Sequence, residues 1–434
     1  MVVLATFLLV PLAGNAGDLE PPGPPDSTMK TLDEVEPRTP IAGSNTAAST
    51  LIISESGSYY LTGNRLCSGN GIRIDVNDVT IDLCGFILAG PDGSQDGITI
   101  YGERSNIQIR NGTIRDFRYA VYAGSAYGNS HRVDNIRAIS NTVGGINLNS
   151  DNCAVSGCTV ADNGDSASSV VGIQTRANGI VAGNIVINNG TSATGNVYGI
   201  YASYKGNVVT GNSVRDNGAA ATGDVYGIKA GEASTLTDNT ASNNGNSASN
   251  DYVMGIVAGI GSSITNNTAH DNGDSASSVY VYGIYGSSGS ILNGNASYGN
   301  GTSATGDVYG IYAHRGSTLK NNTAYQNAYQ MVGRKTTGDV YGIYGDRGST
   351  VIGNTARFNG YDCNDINIYG LYVGYYSTVV ANNANYNGIS TIDCNVVGLN
   401  LEGESLVDQN AASDNSGTNM VAPGSCTLGT NHAP

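Results

Sequence analysis

Tryptophan is absent from this chain, Phe and His occur four times each, and charged residues fill only 13% of its 434 positions. Each shortage excludes something. Lys and Arg total 20 against 35 Asp and Glu, a net charge of −15. The basic stripe that phosphate binding demands is therefore missing, and nucleic acid is not an expected partner. No apolar run of 18 or more residues follows the N-terminus, so no membrane-spanning helix is expected. The histidines, His131, His270, His314 and His432, share no spacing, and neither Cys-x-x-Cys nor His-x-x-x-His occurs. A zinc or copper centre lacks its ligand pattern.

What fills the space is Gly (61 residues), Tyr (27), Asn, Ser and Thr. Gly and Asn weaken helices at most positions, so the chain is not built from them. Val2 to Leu12 is an apolar stretch of signal-peptide length, and Gly14-Asn15-Ala16 supplies the small residues of a cleavage site. Residues 1–16 are thus expected to direct export, to a secreted or cell-surface location, and 17–45 to form an extended Pro-rich leader. Five prolines between Pro21 and Pro37 forbid a continuous helix or central strand there.

The remainder repeats. Gly followed by Ile or Leu recurs at Gly145, Gly172, Gly199, Gly227, Gly255, Gly283, Gly310, Gly342, Gly370 and Gly398, spaced by 27 or 28 residues except for one interval of 32. Fainter anchors at Gly71, Gly97 and Ala120 bring the total to about thirteen turns. Asn184, Asn212, Asn239, Asn267, Asn295, Asn322, Asn354, Asn383 and Asn410 keep the same period, as do the pairs Asn189-Gly190 through Asn387-Gly388. Segments of four to six residues between Gly, Asn and Ser are too short for helices. The unit is also too short for a propeller blade.

Three short strands per turn fit best, which makes the chain an all-β, right-handed parallel β-helix. An entry coil is expected over 46–70, the solenoid over 71–420 and a tail over 421–434. In such a stack each side chain meets its own counterpart about 4.8 Å away. Ile, Leu and Val fill a dry core, Asn amides form ladders, and like charges are expelled.

Gly57-Ser58-Tyr59-Tyr60-Leu61-Thr62-Gly63-Asn64, then Val79-Thr80-Ile81-Asp82-Leu83, resemble the entry coil of secreted bacterial right-handed parallel β-helix repeat proteins of the pectin-lyase-like fold. Thr31 to Ile41 in the leader does too. Cys84-Gly85 stands where similar proteins often carry Asn-Gly. The resemblance implies the fold; for function it implies only a range, from lyases, hydrolases and epimerases to adhesins and fibres.

Gly-His-Gly, Arg-Ile-Lys and adjacent Asp-Asp, which catalytic members of such folds carry, do not occur. The densest polar patch gathers Asp307, His314, Arg315, Arg334, Lys335, Asp339, Asp346 and Arg347 around the 32-residue turn, with an insertion at Ala328 to Lys335. Stacking should place His314-Arg315 beside Asp346-Arg347. The patch is either a set of solvated ion pairs, each worth about 0–1 kcal/mol, or a site. Asp224, Asp307 and Asp339 share one slot, and Asp162-Asn163-Gly164-Asp165 and Asp271-Asn272-Gly273-Asp274 are oxygen-rich turns. Calcium is the one metal they would suit; no other cofactor is expected.

Two Tyr columns stand out. Tyr198, Tyr226, Tyr282, Tyr309, Tyr341 and Tyr369 form one, expected to share the inner face with Ile311. Tyr201, Tyr285, Tyr312, Tyr344 and Tyr372 form the other, expected outside, as a structural ladder or a ligand strip. Among the cysteines, Cys158 occupies the Asn slot, and Cys153 lies about 16 Å away in extended chain, beyond disulfide reach, so both are expected to be unbridged. Cys363 and Cys394, one turn apart, should pair; Cys67 and Cys84 would staple the entry coil; Cys426 is left over. Two functions follow. One is a non-enzymatic surface or extracellular protein (adhesin, matrix or fibre subunit) partnering itself end to end or a glycan. The other is a polysaccharide lyase or glycoside hydrolase with a groove near 328–347.

Overall fold

The computed structural model describes residues 36–434 apart from 125–127, 250, 278–279, 330–335, 364 and 392. It is a right-handed parallel β-solenoid, without helix among the described residues. Each regular turn holds one longer strand, such as Asp307–Ala313, and two three-residue strands, such as Thr318–Lys320 and Thr323–Tyr325. The longer strands stack into a fifteen-stranded sheet. The thirteen anchors mark thirteen of these, and Leu51–Ile53 and Thr418–Val421 extend the file at either end.

Two boundaries shift. Thr39–Ile41, within the expected leader, and Ser44–Ala48, which straddles its end, already pair in parallel with Gly57–Leu61 and Arg65–Cys67. In the expected tail, Thr427–Leu428 pairs with Leu406–Asp408, and His432 bridges to Ala411. The chain keeps stacking because its final turns retain apolar residues at the inward slots. The expected signal segment lies outside the described residues.

One turn explains the core. Ile311, Ala313, Leu319 and Ala324 point inward and are fully buried, and their counterparts above and below repeat the arrangement. The small Ala324 and Ala356 occupy a crowded corner, as expected. A second, smaller core of Val308, Ala304, Val340 and their counterparts fills the loop side.

Asn files pin the bends. The side-chain amide of Asn239 donates to Asn267 Oδ1 at 2.9 Å, and Asn267 to Asn295 at 3.2 Å. Each amide also donates to a backbone carbonyl, such as Val209 for Asn239. One position is corrected: Asn382, not Asn383, carries the file, accepting from Asn354 at 3.0 Å. Asn383 follows it, starts the strand Asn383–Asn385 and faces outward, since adjacent residues alternate sides. The Asn-Gly pairs make a second buried file from Asn141 to Asn415. A third column, Asn207 followed by Ser234 through Ser405, was not read from the sequence; Ser234 N–H donates to Ser262 Oγ at 3.1 Å.

Cys153 and Cys158 are buried and unbridged, burial raising each thiol to about 12. Cys158 takes the Asn slot as expected, with its N–H donating to Asn184 Oδ1. The Cys67–Cys84 staple is not formed. Cys67 points into the core, whereas Cys84 is exposed at a left-handed turn (φ 50°) beside Asp82 and Arg38. Cys363 and Cys394 do meet across adjacent turns, the Cys394 thiol donating to the Cys363 carbonyl at 3.3 Å.

Candidate functional site

The strand Asp307–Ala313 sets the geometry. Val308 faces the small core and Ile311 the main core, with Gly310 between them at a bend. A Cβ on Gly310 would lie 2.6 Å from the Gly342 carbonyl and 2.5 Å from the Asn327 amide, so only Gly fits. Simple alternation therefore breaks at this residue. Tyr309 does not share a face with Ile311, as alternation implied. It stands outside with Tyr312, and both Tyr columns occupy one outer surface.

Within the first column, Tyr282, Tyr309, Tyr341 and Tyr369 stack with centroids 4.8, 4.6 and 5.1 Å apart. Within the second, Tyr285, Tyr312, Tyr344 and Tyr372 stack at 5.0, 4.8 and 4.9 Å. Between columns the rings meet edge to face, at 87° for Tyr309–Tyr312 and 80° for Tyr341–Tyr344. The angle has a simple origin. Rings in contact are about 3.5 Å apart, but rungs rise about 4.8 Å, so each ring tilts about 43° to close the gap. Columns leaning in opposite senses then cross at nearly a right angle. The face is a herringbone.

The pattern is broken at Met254 and Val257, which take the two Tyr slots one turn before Tyr282 and Tyr285. One turn earlier still, Lys229 stands in the second column with its ammonium 4.1 Å from the Tyr226 ring centroid. Burial lowers the Lys229 pKa, and Asp224 opposes that shift.

Acidic residues border the herringbone. On one side run Asp307 and Asp339, in register with Tyr280 and Asn367. Asp307 Oδ1 accepts the Asp339 N–H at 2.9 Å, and Asp339 Oδ1 accepts the Asn367 N–H at 2.9 Å. Burial raises the Asp307 pKa, and the neighbouring Asp339 charge adds to it. On the other side lie Asp346, 3.6 Å from His314 and 3.5 Å from Arg315, and Glu402, which accepts the Tyr372 hydroxyl at 2.5 Å. His314 and Arg315 are thus neighbours of Asp346, as their spacing implied, while Arg347 stacks on Tyr376. Arg334 and Lys335 lie outside the described residues.

The polar patch is therefore split. The strand Val340–Gly345, about 20 Å long by its six residues, separates Asp339 from Asp346. Asp307 and Asp339 are one rung apart but stack in file, each tied to the next backbone N–H, rather than facing across a gap as paired glycosidase carboxylates do. In the turns considered for calcium, the Asn163 and Asn272 amides point into the buried ladder. Among the described residues no three His, Cys, Asp or Glu side chains cluster, and no helix is long and apolar enough to cross a membrane.

Residues 49–214 match the family model described as right handed beta helix region. No curated protein matches the chain. Three solved structures resemble it at low identity. The Azotobacter vinelandii mannuronan C-5 epimerase AlgE6 A-module is 14% identical over 80% of this chain and 91% of its own, with a TM-score of 0.39. The Streptococcus pneumoniae surface protein and adhesin PfbA is 9% identical over 82% and 91%, at 0.28. The DFA-IIIase of Arthrobacter chlorophenolicus A6 is 12% identical over 83% of each chain, at 0.29.

Proposed function

We propose that the chain is a non-enzymatic extracellular or cell-surface interaction protein, of the adhesin, matrix or fibre-subunit kind, that holds a linear glycan on its tyrosine face. The herringbone carries this reading. Eight stacked rings from Tyr282 to Tyr372, half-buried apart from the buried Tyr282, line one outer face of a scaffold fixed by two Asn files. Rigid aromatic surface binds with little loss of side-chain entropy. The lyase or hydrolase alternative has less support, because its candidate carboxylates are spread across the width of that face or stacked in file.

The test is a soluble-glycan array probed with wild type and with Tyr312→Ala/Tyr344→Ala, folding being checked by circular dichroism. The expected result is a glycan retained by wild type and lost at least about tenfold by the variant, in line with the cost of removing stacked aromatic contacts. Unchanged binding would remove the face from the function. Depolymerisation of any glycan by wild type would overturn the non-enzymatic part.

A further inference from the structure

We infer that the glycan held on this face carries free amino groups, its rings lying along the tyrosine files and its ammonium groups set against Asp307 and Asp339. The inference rests on the tyrosine face being the binding surface.

The chain contains its own small copy of the contact. Lys229 occupies a slot that Tyr fills in other turns, and its ammonium sits 4.1 Å from the Tyr226 centroid and 5.4 Å from that of Tyr198. Asp224 supplies the nearby negative charge, and it stands two residues before Tyr226, as Asp307 stands before Tyr309 and Asp339 before Tyr341. The Tyr226 ring thus carries the ammonium over its face while its hydroxyl donates to Asp224 Oδ2 at 3.3 Å. Such a cation–π contact strengthens as water is excluded from it.

In the turns of Asp307 and Asp339 the same slots hold rings and carboxylates, but Tyr312 and Tyr344 replace the lysine. No Lys, Arg or His among the described residues pairs with either carboxylate. Two like charges one rung apart repel, and an external ammonium between them would relieve that repulsion. The net charge of −15 adds a long-range attraction for a cationic chain.

The occupant is a polysaccharide rather than a basic peptide because of period. An extended peptide places same-side residues about 6.6–6.8 Å apart, out of step with rungs at about 4.8 Å. A peptide also gains its main-chain hydrogen bonds at a sheet edge, whereas this surface presents only side chains. In a β-1,4-linked chain of six-membered sugar rings successive units turn over, so one edge repeats every second unit, close to two rungs, and one amino group falls to the pair Asp307 and Asp339.

Tyrosine fluorescence of the full chain, undisturbed by tryptophan, reads binding of glucosamine oligomers, of their N-acetylated counterparts and of oligolysine. Asp307→Asn/Asp339→Asn is the test variant, and it is expected to fold because Asn367 and Asn395 already occupy the same file. The amino oligomer should bind wild type at least about tenfold more tightly than the acetylated one, lose at least about tenfold in the Asn variant, and weaken as salt rises. Equal binding of the acetylated oligomer, abolished by Tyr312→Ala/Tyr344→Ala, would overturn the amine inference while keeping the tyrosine face. Binding of either oligomer that survives the Tyr substitutions would sink the face itself. Oligolysine binding as tightly as the amino oligomer would overturn the choice of a glycan.

Discussion

The two ends of this solenoid solve one stacking problem in different ways. Between Arg38 and Arg137 the outer surface is charged: nine of the 20 basic residues lie there. Asp82 sits between Arg110 at 3.1 Å and Arg38 at 3.5 Å, and Arg118 reaches Asp96 at 2.8 Å. The core there is large, with Phe117, Ile107, Ile109 and Ile114 fully buried, and the strands Ile107–Arg115 and Arg132–Ile139 run long. From Asn141 onward charge thins and turns acidic, with 10 basic against 20 acidic residues, and the surface becomes self-similar, held by Asn files and Tyr stacks. Like on like is favourable only for groups that attract their own kind, as amides and aromatic rings do. A charged side chain needs an opposite neighbour in the next rung, which breaks the repeat. Dense charge and regularity therefore separate along this chain, the file of Asp307 and Asp339 being an exception.

The largest effect should come from the regular half. Asn267→Ala removes an amide bonded to Asn295, Leu236 and Thr265 and takes away the Oδ1 that accepts from both the backbone and the side-chain N–H of Asn239. Several buried polar groups lose partners together, so a cost of about 4 kcal/mol is expected in urea unfolding. A loss below about 1 kcal/mol would mean that the files are ornament.

His131, at the junction of the two regions, should give the next. It is buried with neither ring nitrogen hydrogen-bonded among the described residues, and burial lowers its pKa to about 4. Folding holds it neutral, while the unfolded chain takes up a proton near the ordinary value of about 6.5. Its contribution is thus complete above about pH 6.5 and is lost as pH falls toward about 4, roughly 3 kcal/mol in all. Unfolding of wild type and His131→Leu at several pH values checks this. An identical pH slope in both would refute it.

The smallest effect belongs to the charged region. Arg118→Ala breaks two hydrogen bonds to Asp96 from a side chain that is 42% exposed. A loss of about 1 kcal/mol or less, shrinking in high salt, is expected. A loss comparable to that of Asn267→Ala would erase the contrast between the two halves.

The stack was legible in the sequence because a self-pairing fold writes its period into the chain; the Gly-Ile anchors fall on successive strands one for one. What stayed hidden were features that period alone does not encode. At Asn382-Asn383 two adjacent candidates competed, and the spacing of 28 from Asn354 decides for the first. The Ser column was missed because serine is too common in turns to stand out. Tyr309 was placed inside because alternation was carried through Gly310, where the absent Cβ lets the chain bend. That single break assembles the tyrosine face, so its residues were visible from the start while their meeting was not.

The tilt of those rings also has a mechanical side. Tyrosines already at van der Waals contact cannot come closer, so the herringbone resists shortening along its length. Bending that would make this surface concave must crowd the rings, whereas bending the opposite way only parts them. The solenoid is accordingly a rod with a preferred direction of flexure, stiffened on one side like a bow along its belly.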